Sequence, residues 1–287
     1  QAIGNAAGPN GIKIVGLTCV GQDMQLRAGS SGTEVFAGQA GNNFTQEALL
    51  ATGGIDLVIS EFNCTLSGIE PIAEKLKIKL VCLDDVSKQT TAEMLPDERG
   101  SEIVLARNLC NIAAAQYIER RDTVEIDVPN HGYKDVLTGV SEKSLVDFLG
   151  GNLDPLIELL QNGTIKGVAG ILGCSNLAAG GHDITTTALT RELIQRDILV
   201  LSAGCTTGGL ANCGFCSPDA ADWAGPGLKA VCKKLGISPV LNFGPCLAIG
   251  RIEMVVSALS KAIGVSIPEL PVVISAPQWL EEQALAD

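Results

Sequence analysis

Five of the ten cysteines in this chain follow short apolar runs, and thiols are well suited to bind metals. The five are Cys19, Cys64, Cys174, Cys205 and Cys246. In an open sheet of parallel strands, the loops beyond the carboxyl ends of the strands border one crevice, where ligands bind. Thiols in such loops could converge there. The pattern therefore favours one shared metal site over separate core positions.

The spacing of these cysteines shows how such a site would be built. The intervals range from 31 residues, between Cys174 and Cys205, to 110 residues, between Cys64 and Cys174. Zinc ribbons and ferredoxins instead use close Cys-x-x-Cys pairs. Thiolates select Fe–S, Zn, Cu(I) or Ni rather than Mg or Ca. Because the five thiols exceed the ligand set of a single tetrahedral zinc, the sequence favours a multinuclear cluster assembled from separate loops.

The elements that would carry these loops alternate in the manner of βαβ units. Strands are predicted at 12–17, 55–59, 78–83, 167–172, 199–202, 240–243 and 271–275, and residues 29–41 are predicted to form a loop. Helices are predicted at 22–27, 44–52, 68–76, 100–120, 142–149, 154–162, 184–196, 225–235 and 249–263. The alternation lapses between 124 and 141. We therefore predict an α/β protein with two Rossmann-like parallel-sheet domains, residues 1–140 and 141–287.

Composition narrows the classes of function. Hydrophobic residues make up 46% of the chain, enough for a packed core, and the formal net charge of −12 argues against a nucleic-acid partner. No apolar run is long enough to span a membrane, and no secretory signal is visible. Cysteines in such a chain are more readily reduced thiols or metal ligands than disulfides. Cytoplasmic localisation is the expectation.

The remaining cysteines and the two histidines have plainer interpretations. Cys82, Cys110 and Cys232 lie on apolar faces and are predicted to be core residues. Cys213 and Cys216 form the one close pair; burial near a helix start is favoured, with a redox pair or an additional cluster ligand as alternatives. His131 is predicted at the surface, and His182 is a secondary candidate ligand.

Several stretches resemble the anaerobic nickel-iron carbon monoxide dehydrogenases, including the α subunits of archaeal acetyl-CoA decarbonylase/synthase. The matching stretches are Val15-Gly16-Leu17-Thr18-Cys19, Ile59 to Cys64, Gly170 to Asn176, Gly204-Cys205-Thr206, Asn242 to Cys246 with Arg251-Ile252, and Ser275 to Trp279. Their order and spacing agree with that family. The resemblance covers essentially the whole chain but corresponds only to the family's two Rossmann-like domains.

The resemblance implies a [NiFe4S4] cluster of the C-cluster type. Cys64, Cys174 and Cys205 would bind its cubane irons. Cys19 would hold the outlying iron and Cys246 the nickel, which makes these two the catalytic ligands. The implied reaction converts CO and water into CO2, two protons and two electrons. A homodimer, a redox partner protein or second subunit, and further Fe-S clusters on a partner or on another domain are also implied.

The sequence departs from this family at several positions, and these departures suggest other functions. The family's amino-terminal helical domain has no counterpart here, and neither does the histidine that shares the outlying iron. Gln283 stands where the family has a catalytic lysine, and an amide cannot transfer protons as an ammonium does. The chain is then expected to be a piece of a longer chain, a split subunit, or a relative that lost turnover. A non-catalytic Fe-S carrier or sensor, and an ordinary α/β binding module with buried cysteines, are the competing hypotheses.

Overall fold

The computed structural model describes residues 11–28, 35–60, 64–84, 88–95, 101–129 and 135–279. The strands are β1 (Ile14–Gly16), β2 (Phe36–Gln39), β3 (Leu57–Ser60), β4 (Lys79–Cys82), β5 (Glu93–Met94), β6 (Gly167–Gly173), β7 (Ile198–Gly204), β8 (Val240–Asn242) and β9 (Val272–Ser275). The helices are α1 (Thr18–Ala28), α2 (Thr45–Ala51), α3 (Ile69–Lys75), α4 (Glu102–Arg120), α5 (Glu142–Phe148), α6 (Asp154–Gln161), α7 (Ile184–Gln195), α8 (Cys205–Asn212), α9 (Pro226–Leu235) and α10 (Ile249–Ile263). All strand pairs among these residues are parallel, which confirms the predicted α/β class.

The largest sheet belongs to the second half of the chain and has the strand order β8-β7-β6-β9. Strand β6 is buried along its whole length, and β7 is buried except at its first residue. Continuous apolar strands of this kind are typical of parallel sheets covered on both faces. Gly173 at the end of β6 pairs with Gly204 at the end of β7. The loops that follow these two strands therefore start side by side.

The first half carries two smaller sheets, β1-β2 and β3-β4-β5. The prediction that residues 29–41 are only loop was wrong, because Phe36–Gln39 forms β2 and pairs with β1. Its sequence, Phe-Ala-Gly-Gln, lacks the β-branched residues that mark a strand, and the β1 backbone supplies its partner. Strand β5, at Glu93–Met94, was also not predicted and is exposed.

Two groups of buried side chains follow the two halves. The larger extends from Leu145 to Leu270 and packs the β6–β9 sheet against its helices. The smaller lies between Leu50 and Ala92 and covers β4. The boundary at residue 140 itself stays a prediction. None of the helices in the described ranges combines the length and the apolar character that a membrane span requires.

Candidate metal centre

The five predicted ligands lie where strands end. Cys174 and Cys205 directly follow β6 and β7, and Cys205 is the first residue of α8. Cys246 begins a short 3₁₀ turn after β8, and Cys19 is the second residue of α1, just beyond β1. Cys64 follows β3 and has a φ of 59°. Each thiol is thus held by a short connection at the carboxyl end of a parallel strand.

The tertiary structure brings these thiols together from both halves of the chain. The backbone N–H of Cys246 donates to Cys19 Sγ over 3.1 Å. The thiols of Cys205 and Cys246 also hydrogen-bond to Cys19, and this lowers the pKa of Cys19 to about 3. The charges of Cys64 and Cys174 act on the Cys246 thiol, and that of Cys64 acts on Cys205. Cys19, Cys205 and Cys246 are therefore in direct contact, and Cys64 and Cys174 lie close enough to act on them electrostatically.

Protons in this cluster are shared unequally. The pKa values of Cys205 and Cys246 are raised, first by their hydrogen bonds to Cys19 and then by burial. A low-dielectric site cannot hold several neighbouring thiolates without compensation. A positively charged group at this position would stabilise all of them as thiolates. Metal binding here would consequently release protons.

Gly204 allows the close approach of the strand ends. Its φ of 89° and ψ of −164° lie in a region that residues with a Cβ rarely adopt. A Cβ at this position would lie 2.6 Å from the carbonyl oxygen of Gly173 and 2.7 Å from Cys246 Sγ. The glycine therefore lets Cys246 pack against the β7 end. The neighbouring Gly173 (φ 102°) similarly leaves room for the ring of Trp279.

Buried amides and hydroxyls that the sequence analysis missed hold the cysteine-bearing loops. Gln22 Nε2 donates to the carbonyl oxygen of Gly204 over 2.7 Å, which ties α1 to the end of β7. Thr206 Oγ1 donates to the carbonyl oxygen of Cys174 over 2.9 Å. Gln46 Nε2 donates to the carbonyl oxygen of Cys64. The available signal was polar side chains in otherwise apolar segments, but their partners are distant in sequence.

The comparisons with known proteins identify the family. The sequence profile of the Prismane/CO dehydrogenase family matches residues 2–287. This chain belongs to that family. A carbon monoxide dehydrogenase of Methanocaldococcus jannaschii is 53% identical over 98% of this chain, which covers 45% of the relative.

Two solved structures agree with this assignment. A nickel-free carbon monoxide dehydrogenase from Thermococcus sp. AM4 has a TM-score of 0.90 and 34% identity, covering all of this chain (100%) and 44% of that one. An α subunit of acetyl-CoA synthase/carbon monoxide dehydrogenase, described with NiZn[Fe4S4] and NiNi[Fe4S4] clusters, has a TM-score of 0.90 and 26% identity. The match covers 100% of this chain and 43% of that one. The chain thus spans less than half the length of these proteins. The predicted resemblance is confirmed.

The site fits a metal–sulfur cluster of the kind this carbon monoxide dehydrogenase family implies. Ser175 Oγ and Asn43 Oδ1 are buried polar atoms without a hydrogen-bond partner, and both lie beside cysteine-bearing loops. Buried polar groups are normally satisfied, so Ser175 Oγ has capacity for an inorganic acceptor such as sulfide. No three His, Cys, Asp or Glu side chains among the described residues are placed to hold a single metal ion. Ligands of a multinuclear cluster bind different metal atoms and need not converge on one point.

The other cysteines divide by burial. Cys82 and Cys232 are buried as predicted, whereas Cys110 is only half-buried. Cys216 lies in the core, where burial raises its pKa to about 12. The prediction of burial near a helix start was wrong for Cys213, which is exposed at the end of α8 because the chain leaves the helix there. All ten cysteines lie in the described ranges, and none forms a disulfide. A high thiol pKa suits the packing interpretation of Cys216 rather than a redox role.

The histidine candidates have different outcomes. His182 Nε2 lies 2.9 Å from Asn42 Oδ1 and 3.1 Å from Asp183 Oδ2, so the ring contacts an amide and a carboxylate. His131 and Gln283 lie outside the described residues.

Ser275 to Trp279 is anchored near Cys174 by the buried Gln278, whose Nε2 donates to the carbonyl oxygens of Asn176 and Gly181, both over 2.8 Å.

Proposed function

We propose that this chain is the cluster-binding portion of a carbon monoxide dehydrogenase that catalyses CO + H2O → CO2 + 2 H+ + 2 e−, in either direction. The observation that carries the proposal is the hydrogen-bonded group of Cys19, Cys205 and Cys246, drawn from both halves of the chain, on which the charges of Cys64 and Cys174 also act. Membership of the Prismane/CO dehydrogenase family supports it. Relatives named carbon monoxide dehydrogenase that match nearly the whole chain support it further.

Each cysteine has a proposed ligand role. Cys64, Cys174 and Cys205 would bind the cubane irons of a Ni-4Fe-4S cluster, Cys19 the outlying iron, and Cys246 the nickel. When bound, the cluster supplies Lewis acidity and redox capacity that no side chain of the chain has. The hydrogen bond of 3.1 Å from the backbone N–H of Cys246 to Cys19 Sγ joins the two cysteines proposed as catalytic ligands.

The chain's own residues would orient the ligands and tune their charge. Gln22, Gln46 and Thr206 fix the backbone at three of the cysteine-bearing loops through side-chain hydrogen bonds. Such outer contacts orient ligands and tune a metal site. The backbone N–H of Asn43, which donates to the Cys205 sulfur, would favour its thiolate form. These contacts would keep the loops in place while the cluster changes charge.

The electrons released by the reaction need an acceptor. We expect a redox partner protein or a second subunit, in a cytoplasmic oligomer, with any further Fe-S clusters carried outside this chain. Because the relatives are more than twice as long as the matched region, their remaining parts are one source of such contacts. Nucleic acid is not an expected partner of so acidic a chain.

Metal analysis tests the proposal. The chain is purified without oxygen, and nickel and iron are measured per polypeptide, with about one Ni for four Fe expected from the proposed cluster. Cys246→Ala should lose nickel while the fold persists by circular dichroism. Cys213→Ala, which changes an exposed cysteine outside the cluster, is the control and should retain both metals.

The outcomes separate the competing functions. Full nickel occupancy in Cys246→Ala would overturn the ligand assignment. An intact cluster without CO-dependent dye reduction would favour the carrier or sensor, for which Gln283 at the position of the family's lysine is the motivating observation. A colourless anaerobic preparation without either metal would favour an ordinary binding module.

A further inference from the structure

A buried amide–carboxylate pair joins the two halves of the chain beside the thiol cluster. Asn42, fully buried in the loop between β2 and α2, faces Asp183, which is buried immediately before α7. Asn42 Nδ2 donates to Asp183 Oδ1 over 3.1 Å and to Oδ2 over 2.9 Å. Asp183 has a φ of 58°, uncommon for a residue with a side chain. Its backbone is therefore held in place by the surrounding contacts.

His182 completes the pair on its exposed side. Because a carboxylate only accepts, Asn42 must turn its Nδ2 toward Asp183 and its Oδ1 toward His182. His182 Nε2 lies 2.9 Å from that oxygen and 3.1 Å from Asp183 Oδ2, both acceptors. The hydrogen of a neutral ring consequently resides on Nε2. The hydroxyl of Thr45, 3.1 Å away, also donates to Asn42 Oδ1 and fixes the amide further.

Helix α8, which begins with Cys205, packs against Asp183 and against the loop that contains Asn42. A Cβ at Gly209 would lie 2.4 Å from Asp183 Cγ, and one at Gly208 would lie 3.2 Å from the carbonyl oxygen of Gly41. Asn212 Nδ2 donates to the carbonyl oxygen of Ala40 over 3.0 Å. The glycines thus allow α8 to contact both Asp183 and the loop that contains Asn42. The position of the helix is set by both halves.

We propose that Asn42 and Asp183 are positioning residues that hold Cys205 in register with Cys19 and Cys64. The inference rests on the proposed function, since it assigns these residues to the same cluster. Asn42 and Asp183 act through the neighbouring segments and not as ligands. They fix α8 and the adjacent Asn43, whose Nδ2 also donates to the carbonyl oxygen of Ser175, over 3.2 Å.

An exchange of the two side chains provides a sharp test. Asn42→Asp alone places two carboxylates face to face, and Asp183→Asn alone sets amide against amide and removes one acceptor. The double variant Asn42→Asp/Asp183→Asn restores one amide and one carboxylate. The carboxylate that it introduces at position 42 can still accept from Thr45, and His182 retains two acceptors. The exposed Asn162→Asp is the matched control.

Two measurements are made on each variant. In the metal-free chain, the alkylation rate of each cysteine is followed peptide by peptide under reducing, anaerobic conditions. Cys205, which is 2% exposed, should react about tenfold faster in both single variants and near the wild-type rate in the double variant. In the loaded chain, the midpoint potential of the cluster should shift in the single variants and return in the double variant, because hydrogen bonds to the sulfurs set the potential.

The results distinguish this inference from the proposed function. Wild-type chain that binds neither nickel nor iron would refute the proposed function, while the alkylation rates of the metal-free chain would still decide the positioning role. Unchanged Cys205 rates in both single variants would overturn the inference. Equal acceleration at the core residue Cys232 would also overturn it, because the effect would then be global unfolding. The inference would also be overturned if the double variant restored neither the alkylation rate of Cys205 nor the midpoint potential of the cluster.

Discussion

Replacement of Gly204 by alanine should destabilise the protein by about 4 kcal/mol and weaken cluster binding. Two effects contribute. The backbone of Gly204 lies in a region that costs other residues about 1–3 kcal/mol. The added Cβ would also lie 2.6 Å from the Gly173 carbonyl oxygen and 2.7 Å from Cys246 Sγ, too close for either atom to remain in place. Overpacking of this kind costs about 1–3 kcal/mol more.

Gly250→Ala is the matched control for this substitution. Gly250 is exposed in α10, and nothing lies within 4 Å of a Cβ added there. Alanine should therefore stabilise that helix by about 0.5–1 kcal/mol. Both substitutions reduce the entropy of the unfolded chain in the same way. The difference between the two variants thus isolates the folded-state effects at Gly204.

The free energy of unfolding is measured on the metal-free chain by urea denaturation, under reducing anaerobic conditions with circular dichroism. The loaded chain is then analysed for nickel and iron. Gly204→Ala should lower the unfolding midpoint and also reduce nickel content, because Cys246 must move away from the β7 end. Stability within about 0.5 kcal/mol of the wild type, the usual range for harmless surface changes, would refute the geometry at this strand end.

Three further predictions concern residues outside the cluster. Arg120→Met should lower the free energy of unfolding by about 3 kcal/mol in urea denaturation, because the buried guanidinium donates to the carbonyl oxygens of Leu76 and Gly53 and pairs with Asp56. The control Arg121→Met removes an exposed ion pair and should change that free energy by no more than about 0.5 kcal/mol. Equal effects of the two substitutions would contradict the structural role of Arg120. Burial raises the pKa of Asp56, and loss of the Arg120 charge should raise that pKa further. The free energy of unfolding of Arg120→Met should therefore fall as the pH rises through the acidic range, where Asp56 ionises. Iodoacetamide at pH 8 should label the exposed Cys213 but not Cys216, whose pKa burial raises to about 12, and a Cys213–Cys216 disulfide under mild oxidation would contradict the packing interpretation.

The fold of the second half was largely predictable from local sequence. Strands β6 and β7 are continuous apolar runs that end in glycine, and the intervening α7 lies where its pattern predicts. Strand β2 was missed because Phe-Ala-Gly-Gln carries little strand preference of its own. Its conformation depends on hydrogen bonds from β1, which is tertiary information even though the partner is close in the chain.

The candidate ligands were also predictable, but the contacts that position them were not. A cysteine directly after a strand is visible in the sequence, and parallel topology places such positions at one edge. The partners of Gln22, Asn42 and Gln278 lie 182, 141 and 102 residues away. No local pattern links an amide to a carbonyl at such distances. The role of Gln278 near Cys174 was therefore not visible beforehand.

The amino-acid sequence by itself determined the α/β class, the order of most helices and strands, and the five cysteines at strand ends. These properties follow from periodicity, from residue preferences and from the common direction of parallel strands. Only the tertiary structure decided that the thiols of both halves share hydrogen bonds, and that Gly204 leaves room for Cys246. The same holds for the Asn42–Asp183 pair beneath the Cys205 helix. The reason is that hydrogen bonds and close approaches depend on distances between atoms far apart in the chain, which are set only when the two halves pack together.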